Sequence, residues 1–466
     1  MTEANNTNVF KQTFKEVTEP FVGLVKASRA LWAINLSYVV EGLCYFGVLS
    51  LLAIYFNDFV GLNDIKAGQM VGMLTAGITL AMLFLGATVD WIGPRKSLLI
   101  SLAIMLVGRI ILTSSTHVGA PGLWGTAHIV SILGMMGIVI GYGIYQPACY
   151  AAVKFFTTKE TAAIGYAMLY ALMNLGGFLP GLISPPLRKA SGILGVFWVY
   201  VALTVVSILI IYFLLSRKTE DKEMENFKKA SETTKQSAED NAIDQLKGKE
   251  KLKFYIKNFP LRDGRFMFFI FVLIPVQTLF AHNWLTLPQY FSRAFTGVVQ
   301  DNFEFFVNLN PILIFLLTPA IAVLTAKKDT YKMMIIGTFV MSLPTFILTL
   351  GPSMYGVIAF IVLMTIGEAM WQPRFLQWIA EIAPKNMTGI YMGIGQFPWF
   401  LTKVITSMYS GWFLMKYCPK DVPIDQLHTE TMWLVYAFIA VSSPVGLIIA
   451  RRWMGKDMER KLTQAA

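Results

Sequence analysis

An all-α membrane fold of twelve spanning helices, arranged as two halves of six, is what this sequence predicts, and three observations carry that expectation. The 466 residues are 55% hydrophobic and 14% charged, where a soluble domain carries about 25% charge. Apolar runs of about 20 residues, long enough to cross a bilayer as helix, recur along the whole chain. They come as six, a charged interval, and six more.

Residues 1–30 form a polar lead-in, with Phe10, Phe14, Val17 and Phe21 spaced as in an amphipathic segment. No signal peptide is expected, because the lead-in is mixed in charge and the apolar run behind it is too long for an h-region. The first run is 31–56, and the next five lie at about 69–90, 97–115, 125–153, 162–184 and 192–215. Residues 217–264 are dense in Lys, Glu and Asp up to about 250, which predicts a solvated, partly disordered linker. The stretch LKFYIKNF at 252–259 suits a short interfacial helix. The last six runs lie at about 265–292, 304–326, 332–350, 354–383, 388–415 and 430–451. The expected organisation is thus 1–216, 217–264 and 265–466.

The basic residues set the expected orientation. The N-terminus, the loops after even-numbered runs and the C-terminus hold 30 of the 39 Lys and Arg, and the opposite loops hold six. By the positive-inside rule both termini and the linker are cytoplasmic. Short loops, and no N-x-S/T site in an expected external loop, point to a bacterial inner membrane. A net charge of +11 does not imply a nucleic-acid partner, because the bases sit in short loops between apolar runs. Cys44, Cys149 and Cys418 have no metal or redox spacing. His117, His128, His282 and His428 have no ligand spacing, and no HExxH, P-loop or GxSxG motif occurs. No enzyme activity, cofactor or metal is expected. The expected partners are a small-molecule substrate, protons and the lipid bilayer, with the chain acting as a monomer.

Prolines interrupt runs in both halves: Pro147, Pro180, Pro275, Pro288, Pro311, Pro319, Pro373 and Pro398. They suit helices that bend during a cycle, and equally tolerated kinks. Few ionisable residues lie inside the runs. Glu41 shares a face with Tyr38 and Tyr45 at i, i+3, i+7 spacing. A carboxylate there costs roughly 2.5–3.5 kcal/mol on insertion scales, so it either pairs with a neighbouring helix or lines a pathway. Glu368 has Trp371 and Gln372 one turn on. Tyr142, Gln146 and Tyr150 share a face of run four, and His282 one with Thr278 in run seven. Lys403 is a candidate counter-ion to an acid. Arg109 reads equally as a functional or a buried structural base, Arg374 and Glu381 equally as cytoplasmic-end gating or snorkelling residues or as substrate contacts, and His128 as structural.

The loop after run two reads Gly86-Ala-Thr-Val-Asp90-Trp-Ile-Gly93-Pro-Arg95-Lys96. It resembles the G-x-x-x-D-R-x-G-R-R/K gating signature of the major facilitator superfamily, with Trp91 at the place of the first Arg. Four further stretches are similar to the proton-coupled oligopeptide transporters (POT/PTR): 141–153, 165–185, 308–324 with its Asn-Pro, and 367–384 with its Gly-Glu and closing Ala-Pro. The resemblance implies that Glu368 meets a peptide's amino terminus, that Asn174 and Asn310 hold its backbone, and that Tyr45 forms a pocket wall. Tyr142, Gln146, Trp371 and His282 complete the expected substrate set, with Glu41 and Glu368 as proton-coupling acids.

The sequence also departs from that family. The E-x-x-E-R-F of the family's first helix becomes Tyr38-Val-Val-Glu41-Gly42-Leu43, so one Glu and the Arg are absent. The Lys of its fourth helix is Gln146, and an expected acid in the seventh is Ala281. Without its basic partner Glu41 is expected to protonate more easily. The resemblance implies proton-coupled uptake of peptides or peptide-like compounds. A symporter, exporter or facilitator of an amine-bearing or neutral solute stays open, as does a non-transporting sensor or scaffold.

Overall fold

The computed structural model describes residues 28–86, 88–157, 162–235, 259–325, 328–382, 394–395 and 397–465. The lead-in pattern at Phe10–Phe21 and the segment 252–258 lie outside these residues, and so do the side chains of Asp90 and Glu381. Among the described residues every regular element is helical, and nine helices are long and apolar enough to cross a membrane.

Helical segments are numbered here after the run each occupies. They are α1 (Arg29–Asp58), α2 (Asp64–Leu85), α3 (Pro94–Ser114), α4 (Thr126–Phe155), and α5 and α6 within Ala162–Leu214. Then follow α7 (Gly264–Phe271, Ile274–Leu285 and Leu287–Ala294), α8 (Phe303–Val307 and Leu309–Thr325) and α9 (Thr330–Ser342, continued as a tighter 3-10 turn over Leu343–Leu350). The series closes with α10 (Met354–Ile382), α11 (Phe397–Tyr417) and α12 (Thr429–Ala465).

Local chemistry sets the ends. Ser28 caps α1 by accepting from the Leu31 amide, Asn63 caps α2 through the Lys66 amide, and Asp329 caps α9 through the Lys332 amide. Pro94 opens α3 where its missing N–H costs nothing. Between α5 and α6 the backbone stays helical except at Gly192, whose φ of 69° supplies the break. The expected loop around 185–191 is therefore helix. Part of the linker also departs from expectation. Arg217–Lys235, expected to be solvated and partly disordered, is helical.

The chain forms two compact units. The first joins Met1–Ala230 with His282–Leu316 and Lys403–Met432. In it α3 and α4 approach backbone to backbone, so that a Cβ on Gly134 would lie 2.5 Å from the Leu112 amide nitrogen. The second unit joins Ser231–Ala281, Leu317–Thr402 and Trp433–Ala466. Its core includes Phe266, Phe269, Tyr331, Phe375 and Trp378, with Phe269 and Trp378 ring centroids 4.0 Å apart. Tyr331 donates its hydroxyl to the Leu447 carbonyl at 2.7 Å, tying α9 to α12.

Candidate functional site

Glu41, in the middle of α1, is 1% exposed and is fully engaged. Arg109 of α3 donates from Nη2 to Glu41 Oε2 at 2.7 Å and from Nη1 to Oε1 at 3.1 Å. Tyr142 of α4 lies 3.1 Å from Oε2 and donates to the Glu41 carbonyl at 2.9 Å. Thr204 of α6 accepts from the same guanidinium, which also lies 5.8 Å from the centre of the Tyr142 ring. This corrects the expectation that Glu41 has lost its basic partner. The base comes from α3, and Gly42 shows why it does not come from α1. A Cβ at Gly42 would already lie 3.3 Å from the Met173 carbonyl and 3.4 Å from Gly176 Cα, so α5 leaves no room for an arginine there. A bidentate guanidinium–carboxylate pair in a dry site balances two charges that each cost much to bury.

An aromatic layer continues from this pair. Tyr45 meets Tyr142 edge to face at 5.2 Å, and Phe46 lies 6.0 Å from Trp284 of α7. Gln146 is half-buried, and its amide nitrogen lies 3.4 Å from the Tyr38 hydroxyl. On α7 the buried His282 has both ring nitrogens in contact, Nδ1 with Thr286 Oγ1 at 2.7 Å and Nε2 with the Tyr409 hydroxyl at 3.1 Å. Asn174 donates its amide to the Tyr170 carbonyl of its own helix at 2.9 Å, and Asn310 is buried near the start of Leu309–Thr325.

Ion pairs that the sequence did not reveal gather where α2, α5, α7 and α8 end on the expected external side. Arg293 closes on Asp64 with Nη1–Oδ2 at 2.6 Å and Nη2–Oδ1 at 2.7 Å, and Gln289 donates to Asn57 and Asp64. Arg188 closes on the fully buried Glu304 at 2.5 and 3.1 Å while stacking on Phe303. The signal available was an acid and a base at the ends of runs with no partner in their own loop. Arg293 also donates to the Cys418 carbonyl, and burial pushes the Cys418 thiol up to about 12.

The loop between α2 and α3 adopts a defined shape. Gly86 lies against Pro147, where a Cβ would sit 3.5 Å from the ring. Gly93 has φ 82° and ψ 162°, a conformation that favours glycine. Arg95 reaches the Leu215 carbonyl through Nε at 2.6 Å, and its amide donates to Glu220 Oε1 at 2.9 Å. Glu220 of the linker helix thus supplies the first turn of α3, which has no side-chain cap of its own, with a carboxylate. Lys96 is exposed.

In the second unit Glu368 is 4% exposed in mid-α10. Trp371, expected among the substrate contacts, is fully buried against α9. Its indole nitrogen lies 3.2 Å from Met341 Sδ, and a Cβ on Gly337 would lie 2.9 Å from the Trp371 Cβ. Arg374 lies 3.4 Å from Thr325 Oγ1.

A sequence model of the Major Facilitator Superfamily matches residues 34–407. The chain is 22% identical to dipeptide and tripeptide permease A of Proteus mirabilis over 513 residues, covering 97% of this chain and 99% of the permease. It is 24% identical to human solute carrier family 15 member 1 over 161 residues, 32% of this chain and 23% of that protein. Among solved structures it is similar to a POT family transporter in complex with 5-aminolevulinic acid, with a TM-score of 0.66 and 18% identity over 92% of this chain and 96% of that one.

Proposed function

This chain belongs to the major facilitator superfamily, and on that premise we propose that it is a secondary active transporter importing peptides or peptide-like solutes with protons by alternating access. It is a multi-pass membrane protein. The location proposed is a bacterial inner membrane, with both termini cytoplasmic and the chain acting as a monomer. The observation that carries the substrate reading is Glu368. It is an acid buried in mid-membrane on α10, in a stretch resembling the peptide-transporter helix, within a chain that aligns end to end with a dipeptide and tripeptide permease.

In this reading Glu368 meets the substrate amine and exchanges the coupling proton. An ionisable side chain inside a membrane helix commonly marks a proton relay. Glu41 is assigned to the lock with Arg109 in place of the proton step, since both its oxygens are already paired. Asn174, Asn310, Tyr45, Tyr142, Gln146 and His282 are the further proposed contacts. Asp64–Arg293 and Arg188–Glu304 hold the expected external side shut, and breaking them opens it. Gly86, Asp90, Gly93, Arg95 and Lys96 form the cytoplasmic gating element.

A second reading has one observation in its favour. Gly42 and Gln146 stand where a peptide carboxylate would otherwise find bases, which suits an amine-bearing solute without that carboxylate. Purified protein screened by thermal shift against dipeptides, amino acids, sugars and amines separates the two. Stabilisation by dipeptides supports the first reading, and stabilisation by amines alone supports the second.

A further inference from the structure

Helices α2 and α11 meet along a seam of small residues in the first unit. A Cβ on Gly68 would lie 3.5 Å from the Ser407 carbonyl and from Ser410 Oγ, and one on Gly411 would lie 2.3 Å from the Asp64 carbonyl. A Cβ on Gly72 would overlap the Ser407 side chain and lie 3.8 Å from the Lys403 carbonyl. The seam therefore runs from Asp64 inward to Lys403. Where it ends, Lys403 Nζ donates to Thr79 Oγ1 at 2.9 Å. At 1.5 Å per residue Thr79 lies roughly 22 Å along α2 from Asp64, well inside a hydrocarbon core about 30 Å thick.

A lysine at that depth is costly and calls for an anion. The expectation that Lys403 pairs with an acid is not met: among the described residues it reaches a hydroxyl and no carboxylate within ion-pair distance. The buried carboxylates of the first unit have their own bases, Glu41 with Arg109, Asp64 with Arg293 and Glu304 with Arg188. Thr79 offers only a neutral oxygen, which a charged acceptor displaces readily because charge-assisted hydrogen bonds are the stronger kind. Both residues are half-buried.

We infer that Lys403 is the binding partner of a carboxylate on the transported solute, displacing Thr79 when that carboxylate arrives. The inference rests on the transporter reading, and for a peptide it names the residue that receives the free carboxyl terminus. It also ties binding to motion, because Thr79 and Lys403 close the inner end of the α2–α11 seam.

The test titrates purified full-length chain, wild type and Lys403→Gln, with alanylalanine, alanylalanine amide, acetate and lactate, following thermal stabilisation. Lys403→Met replaces the Gln variant if that does not fold, and Lys403→Arg and Thr79→Val complete the set. Wild type is expected to prefer alanylalanine over its amide at least tenfold. Lys403→Gln is expected to bring that ratio to about one, and Lys403→Arg and Thr79→Val to keep it. A wild-type ratio near one, a ratio unchanged in Lys403→Gln, or no response to any carboxylate overturns the inference. A Lys403-dependent response to acetate or lactate with none to the dipeptide upholds Lys403 and overturns the peptide reading instead.

Discussion

Arg109 on α3 holds Glu41 on α1 at both carboxylate oxygens, 2.7 and 3.1 Å away, across 68 positions of chain. Each residue alone would be an uncompensated charge in a dry bundle. Removing one partner of such a pair costs about 3–5 kcal/mol. Glu41→Gln and Arg109→Met are each expected to unfold earlier by that order when denatured in detergent. The double variant should lose clearly less than the sum of the two. Additive losses, or singles as stable as wild type, would remove the pairing from the account.

Glu368→Gln tests the proton and amine assignment. Proteoliposome uptake driven by a pH gradient is expected to fall at least tenfold, with an unchanged elution profile on size exclusion. Glu41→Gln, where enough folded protein survives, is expected to keep the pH dependence of uptake, because the proposed proton step lies at Glu368. The reverse pattern would move coupling from α10 to α1.

Asp64→Asn should loosen the expected external end. Burial holds the Cys418 thiol at about 12, far above the usual thiol range, so near pH 7 it stays protonated and slow to react. Once Arg293 loses Asp64, water reaches the neighbouring Cys418 and the thiol falls back toward its ordinary value. Maleimide labelling of Cys418, located by mass spectrometry, is expected to rise at least tenfold in Asp64→Asn. Restoring an ion pair in reverse, Asp64→Arg with Arg293→Asp, should slow it again. Labelling that is equally slow in all three proteins would count against the gate.

Gly93→Ala probes the proposed gating loop. A side chain at φ 82°, ψ 162° is strained by about 1–3 kcal/mol, and its Cβ would also approach Glu220 Oε1 to 3.3 Å. The expected result is a lower melting temperature and slower uptake together. A variant indistinguishable from wild type in both would show that the loop relaxes freely.

Helix placement was legible because the bilayer sets the length of an apolar run, so α1, α4 and α10 lie within a few residues of expectation. The pairings were not. Glu41 has two neighbours on its own face, but which helix supplies its base depends on how α3 rotates against α1, and no local pattern encodes that. Gly42 looked like a lost arginine, whereas the fold uses it as a contact point for α5. Pro185, Pro186, Arg188 and Lys189 looked like a loop because they are polar and helix-breaking. They continue as helix to Gly192, and Arg188 reaches Glu304 from that position. The helix Arg217–Lys235 was hidden by its charge, since a highly charged segment resembles a solvated tether until a partner such as Arg95 is seen.

That contact between Glu220 and the Arg95 amide has a practical side. A gene divided after residue 216 to produce the halves as separate polypeptides would strip α3 of the carboxylate at its first turn. The same division made beyond Lys235 would leave it in place. The opening turns of the linker helix thus belong to the first half as a piece of its architecture, and they should travel with it in any split, fusion or circularly permuted version of the chain.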